Sequence, residues 1–170
     1  MKVLIVSDSH GERSVLDELK ERYGEQTDAM IHCGDSELQA DDPSLEGFTI
    51  VRGNCDMDAR LPMEQTLKVD GSRIFVAHGH RHNIKSTMMN LSYSARENGA
   101  DCAFFGHSHL LGAEYADGIL FVNPGSISFP RGGNDKTYAV AEKDEKGWDV
   151  RFFNEMHLEL KHLHCRFPTV

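Results

Sequence analysis

The chain has 170 residues, the size of one domain able to bury its own core and too short for two enzymatic domains. Hydrophobic residues make up 39% and charged residues 26%, with 15 Gly and 5 Pro, which excludes a collagenous or low-complexity chain. Eighteen Lys and Arg stand against 27 Asp and Glu, a net charge of -9. That is the wrong sign for wrapping a nucleic-acid backbone or coating an anionic membrane, and it repels an anionic substrate unless a local cation such as a metal reverses the field.

Lys2 to Val6 is an apolar run that stops at Ser7, the form of a buried strand feeding a loop, here SDSHG at 7–11. It is too short for a membrane span or a secretory signal. From Ser14 to Tyr23 the residues Val15, Leu16, Leu19 and Tyr23 fall on one helical stripe, with Gly24 available as a stop. Ala29 to Ile31 and Phe48 to Val51 are two more apolar runs, giving way to HCGD at 32–35 and RGNCD at 52–56. The polar stretch between them, 36–47, predicts irregular surface chain or a short helix.

Gln65 to Val69, the turn Asp70-Gly71, and Arg73 to Ala77 predict a hairpin leading into HGHRH at 78–82. The spacing of Met88, Leu91 and Ala95 predicts an amphipathic helix from Ser86 to Asn98, closed by Gly99. Cys102 to Phe105 is a buried-strand candidate followed by GHSH at 106–109. Gly112 to Ala116 and Ile119 to Val122 form a hairpin about Asp117-Gly118, and NPGS at 123–126 is a tight turn. Thr137 to Glu142 and Trp148 to Phe153 are strand candidates, and His157 to Cys165 alternates weakly, with Leu158, Leu160 and Leu163 as core contacts. Crossovers early and hairpins late predict an α/β fold of two packed mixed β-sheets flanked by helices, residues 1–170 forming one domain.

Five strand ends carry chemistry: Asp8/His10, Asp35, Asn54/Asp56, His78/His80 and His107/His109. Loops leaving the carboxyl ends of neighbouring strands converge on one crevice. Asp8-Ser9-His10 and His107-Ser108-His109, read as extended segments, each turn two side chains to one side. Mixed imidazole and carboxylate ligands suit Mn, Fe or Zn better than Ca or Mg. Read singly, Asp8 and Asp35 could be turn or cap residues, but five such accidents at five strand ends are hard to credit. His32, His82, His157, His162 and His164 are better read as hydrogen-bonded structural residues, and Gly34, Gly53, Gly79 and Gly106 as geometric ones. There is no G-x-G-x-x-G or P-loop segment, so a nucleoside triphosphatase is disfavoured, and no H-E-x-x-H for a zinc hydrolase of carbon esters or amides. Four scattered cysteines without a CxxC pair predict an intracellular, reduced protein of the cytoplasm.

The ordered set DSH, GD, GNCD, HGH, GHSH and NPGS resembles the calcineurin-like metallophosphoesterase superfamily, and more narrowly its small single-domain phosphodiesterase branch, which includes the retromer scaffold subunit. The resemblance implies a dinuclear site: Asp8, His10, Asp35 and His109 about one metal, and Asp35, Asn54, His78 and His107 about the other, with Asp35 bridging. It implies two divalent ions, manganese favoured over zinc, iron or nickel, and in-line hydrolysis of a phosphoester by metal-bound hydroxide. Asp35, Asn54 and His80 are its expected catalytic residues, His80 on the leaving-group side. Where many relatives have His after the Asn, this chain has Cys55, so leaving-group protonation comes from elsewhere or the substrate needs little of it. Asp56 could orient a ligand, and Asn123 and Ser126 are weighed as turn residues first and site contacts second. The expected partner is a small phosphoester in an open cleft; a membrane is not expected, nucleic acid is disfavoured, and homo-oligomerisation is left open. The rival reading is a non-catalytic interaction scaffold on the same fold.

Overall fold

A computed structural model describes residues 1–133 and 135–169. Two mixed sheets face one another. The first has six strands in the order β11-β10-β9-β1-β2-β3, comprising β1 (Lys2–Val6), β2 (Ala29–His32), β3 (Phe48–Ile50), β9 (Thr137–Asp144), β10 (Gly147–Asn154) and β11 (Cys165–Pro168). The second has five, β4-β5-β6-β8-β7, comprising β4 (Glu64–Val69), β5 (Ser72–Ala77), β6 (Cys102–Phe104), β7 (Gly112–Ala116) and β8 (Ile119–Asn123). Within the first sheet β1, β2 and β3 run parallel; within the second β5, β6 and β8 do.

Parallel strands covered on both faces are apolar throughout, which is why β1 reads as an unbroken hydrophobic run. Val3 and Ile5 point between the sheets, packing with Ile31, Ile74, Val76, Phe104 and Val122. Leu4 and Val6 point outward against Val15, Leu16 and Leu19 of α1 (Arg13–Tyr23). On the other outer face Leu91 and Ala95 of α2 (Met89–Glu97) cover Phe75, Ala77 and Ala103. No helix among the described residues is long and apolar enough to cross a membrane.

Both predicted hairpin turns form: Asp70 and Gly71 have φ of 46° and 79°, Asp117 and Gly118 51° and 84°, the two positive values that match the twist of paired strands. Four expectations change. The helix expected from Ser86 starts at Met89, because residues 83–87 close turns onto the Asn83 carbonyl instead. Gly24 ends α1 without entering the left-handed region (φ -54°); Gly99, after α2, does enter it (φ 61°). The polar stretch 36–47 is irregular chain with one 3-10 turn at Pro43–Leu45, as expected, but it does not lie wholly on the surface, since Leu38 and Leu45 are buried. Before β11 the chain forms a 3-10 turn rather than an alternating strand, leaving Leu158 63% exposed while Leu163 packs on the core.

Candidate metal centre

Three parallel strands of each sheet end at the same rim. Asp8 follows β1, Asp35 follows β2 and Asn54 follows β3; His78 follows β5, His107 follows β6 and Asn123 ends β8. The sheets face each other, so the six loops meet over the gap between them.

The buried Asp8 carboxylate lies at the centre. Its Oδ2 accepts from the Ser7 hydroxyl (2.6 Å) and the His107 backbone N–H (3.2 Å). Its Oδ1 receives no aligned hydrogen bond, although three imidazole nitrogens surround it: Nε2 of His109 at 3.1 Å, of His10 at 3.9 Å and of His78 at 3.9 Å. The His10 Nε2 is likewise buried and unpartnered. Native proteins satisfy nearly all buried polar atoms, so a carboxylate oxygen and an imidazole nitrogen left facing each other mark a missing ligand. Asp35 forms the second centre: Oδ1 accepts from the Cys55 N–H (2.7 Å), and Oδ2 pairs with His78 Nε2 (3.2 Å), which also lies 3.2 Å from Asn54 Oδ1.

Backbone carbonyls set the tautomers. His78 Nδ1 donates to the Cys33 carbonyl (2.7 Å) and His109 Nδ1 to the Phe129 carbonyl (2.6 Å). A carbonyl only accepts, so each Nδ1 carries a proton and each Nε2 is turned on the site, the arrangement that orients a metal-binding imidazole. Burial pushes the Asp8 carboxyl up, but His109 and His78 outweigh it and hold it below the ordinary value. Asp35 shows the same balance, burial against the His78 hydrogen bond, and ends well below the carboxylate range. Burial opposes charge on His78, yet Asp35 and Asp8 raise it; Asp8 also raises His109. His107 goes the other way, burial and His78 pushing it down to about 4, and His80 is lowered by the same two causes.

The loops are not extended as the D-x-H reading required. Asp8, His10, Asp35, His107 and His109 have φ of 56°, 44°, 55°, 69° and 59°, all left-handed. Strain of this kind persists only where surroundings over-determine it, and it gathers at functional sites. Here the surroundings include two close approaches: a Cβ on Gly106 would strike Ser7 Oγ and lie 2.6 Å from Asp8 Oδ2, and one on Gly53 would strike Asp35 Oδ1. Asp56 ties the Asp35 and Asn54 loops together, accepting from the N–H groups of Asp35 (2.8 Å), Glu37 (2.7 Å) and Gly53 (2.7 Å) and from Ser36 Oγ (3.3 Å). From the facing sheet, Ser126 Oγ donates to the Asp8 carbonyl (2.8 Å) and Ser128 Oγ to the Ser9 carbonyl (2.7 Å).

Among the described residues three overlapping donor sets could each hold a cation: Asp8, His10 and His109; Asp8, Asp35 and His78; His10, Asp35 and Cys55. Asn54 joins through its contact with His78, while the His107 ring lies 5.1 Å from the His78 ring, beside these sets rather than within one. His80 stands outside them, its ring 5.4 Å from His78 and 6.1 Å from His107, with a buried, unpartnered Nδ1. Asn123 donates to the Gly106 carbonyl and to Ser108 Oγ, both 3.0 Å, so it holds the 106–109 loop. Sequence reasoning missed Cys55 as a donor, though it stands next to Asn54. Burial and Asp35 push its thiol up to about 11, so it is protonated at neutral pH. It also missed Ser7 and Ser128, which carry no signal beyond lying in the motif loops. His82 pairs with Glu64, His157 with Tyr138 and His164 with Asp149, while His162 is exposed. The mix of carboxylate, imidazole and amide donors fits a borderline divalent cation.

Residues 1–146 match the model of the calcineurin-like phosphoesterase superfamily domain. The chain is 43% identical over 166 residues to the probable metallophosphoesterase YsnB of Bacillus subtilis, covering 98% of each. It is 33% identical over 106 residues to the phosphodiesterase YfcE of Escherichia coli K12, covering 55% of this chain and 52% of that one. A solved structure from Streptococcus pneumoniae TIGR4, a conserved protein given as a predicted phosphoesterase, superposes with a TM-score of 0.96 at 36% identity, over 99% of this chain and 97% of that one.

Proposed function

The chain belongs to the calcineurin-like phosphoesterase superfamily, and from that premise we propose that it is a single-domain phosphodiesterase dependent on two divalent cations, manganese favoured. The observation that carries the proposal is Asp8 Oδ1, buried, without an aligned hydrogen bond, and ringed by the Nε2 atoms of His109, His10 and His78. Asp8, His10, Asp35 and His109 would hold one ion and Asp35, Asn54, His78 and His107 the other, Asp35 being common to both. In support, Asp8, His10 and Asp35 each belong to two of the three donor sets, so the donors form an extended array instead of converging on one point. Cations bound there supply positive charge that lowers the pKa of water and neutralises phosphoryl oxygens.

The remaining chemistry falls to the chain. The Cys33 and Phe129 carbonyls keep His78 and His109 in the tautomer that offers Nε2. Asp56 keeps the Asp35 and Asn54 loops at one spacing. His80 faces the leaving-group side; its lowered pKa leaves the ring mostly neutral at pH 7, so it acts by hydrogen bonding more than by delivering a proton. With the Cys55 thiol protonated as well, the site favours esters whose leaving group needs little help. All four cysteines are unpaired, which suits a reducing compartment such as the cytoplasm.

The test is hydrolysis of bis(4-nitrophenyl) phosphate before and after chelation. Chelated protein should lose at least about 99% of its rate and recover it with Mn²⁺ better than with Mg²⁺. Full activity in metal-free protein would refute the proposal. Absence of hydrolysis with every divalent cation and a panel of phosphodiesters and phosphomonoesters would favour the interaction-scaffold reading.

A further inference from the structure

Beside the 106–109 loop lies a groove of about 470 Å³, none of whose lining residues belongs to the three donor sets. Its lining is mostly apolar, with Ile84, Met88, Phe105, Phe121 and the 49% exposed Leu110, and two charged residues, Glu114 and Arg131, also line it. Ser108 lines the groove and sits between His107 and His109; Asn123, which holds Ser108, lines it too. Through Ser108 the groove borders the loop that carries His107 and His109. Lys85 also lines it, and its charge disfavours a proton on His107. In a chain of net charge -9, a lysine at this junction offers local attraction to a phosphate anion whose remainder extends into the apolar space.

We infer that this groove receives a ring-sized apolar ester group of the phosphodiester, so that selectivity lies in the organic part of the substrate. The inference rests on the phosphodiesterase reading above. A concavity of this size, mostly apolar with a few polar groups, is the usual form of a small-molecule site. A methyl ester would leave the walls against water, whereas a phenyl-sized group would remove apolar surface on both partners. The Met88 thioether suits such a group by adapting its shape, and the largely buried Phe105 and Phe121 add aromatic atoms to the wall.

Two monoanions with no ester bond to hydrolyse, methyl(phenyl)phosphinate and dimethylphosphinate, which differ in only one group attached to phosphorus, are titrated calorimetrically into the manganese-loaded protein. The phenyl compound should bind about tenfold more tightly. Two variants at the groove, Met88→Ser/Leu110→Ser and the groove-filling Gly112→Trp, at a position where an added Cβ meets nothing within 4 Å, should each reduce that ratio below about threefold while leaving the methyl compound's affinity unchanged. Equal binding of the two compounds, or a ratio that survives in both variants, would overturn the inference. Metal-dependent hydrolysis of bis(4-nitrophenyl) phosphate in the same preparations reports on the underlying reading by itself. Activity without a phenyl preference defeats the groove alone, whereas no activity defeats the phosphodiesterase and the groove together.

Discussion

His32 shows how one side chain can support the site without facing it. It is fully buried; its Nδ1 accepts from the Gly34 N–H (3.1 Å), so the ring proton lies on Nε2 and is donated to Ser9 Oγ (2.9 Å). A second proton has nowhere to go, and burial pushes the pKa from 6.5 down to about 4. A depressed histidine pKa means that the unfolded chain binds more protons between these values, so stability falls as pH drops from 6.5 towards 4 and falls no further below that. The loss is up to about 3 kcal/mol. His32→Asn, which keeps an acceptor for Gly34 but cannot be protonated, should be less stable at pH 7 and show a flatter stability curve from pH 6.5 to 4, read by urea melts across that range. Asp35→Asn tests the site itself. It should lower phosphodiester turnover at least about 100-fold and leave fewer than two metal ions per chain by metal analysis; unchanged rate and metal content would exclude Asp35 as the shared ligand.

At the scale of elements, the site is made by strand ends, and that is why so much of it could be read in advance. β1, β2, β5 and β6 each run apolar up to a segment that carries Gly close to His, joined by Asp after β1 and β2, a signal that survives without any knowledge of packing. Asp56 was readable as a neighbour of Asn54 able to orient a ligand, but which residues it holds was not, because its partners Asp35 and Glu37 lie on another loop. The left-handed backbone of the D-x-H and H-x-H steps was also invisible: side-chain alternation assumes a strand, and these residues lie just past one. The delayed start of α2 has a similar origin, since backbone bonds to Asn83 compete with the first helical turn. Asp56→Ala, which strands three backbone N–H donors but leaves every proposed ligand in place, should weaken manganese binding about 10–100-fold in competition with a chelator while far-UV circular dichroism is retained.

For the whole molecule, the important fact is that the donors come from both sheets. Asp8, Asp35 and Asn54 ride on one, His78, His107 and His109 on the other, and the core between them is apolar. A cation held by both groups spans the interface and binds only the assembled form. Ligand at 100 times its dissociation constant adds about 2.7 kcal/mol per site, which for a chain of this size raises the midpoint of thermal unfolding by about 5–10 °C. Differential scanning calorimetry with and without Mn²⁺ should show at least about 5 °C. A change under about 2 °C at saturation would mean that the ions do not join the sheets.

The positive φ values at Asp8, His10, Asp35, His107 and His109 have a consequence for which amino acids these positions can accept at all. Aspartate, asparagine and histidine tolerate that backbone better than other residues with side chains, and branched residues such as valine or isoleucine hardly at all. The same three residue types are good partners for transition-metal ions. Chain geometry and coordination chemistry thus draw on one short alphabet, so a library randomised at these five positions and selected only for folding, with no metal supplied, should still be enriched in coordinating side chains.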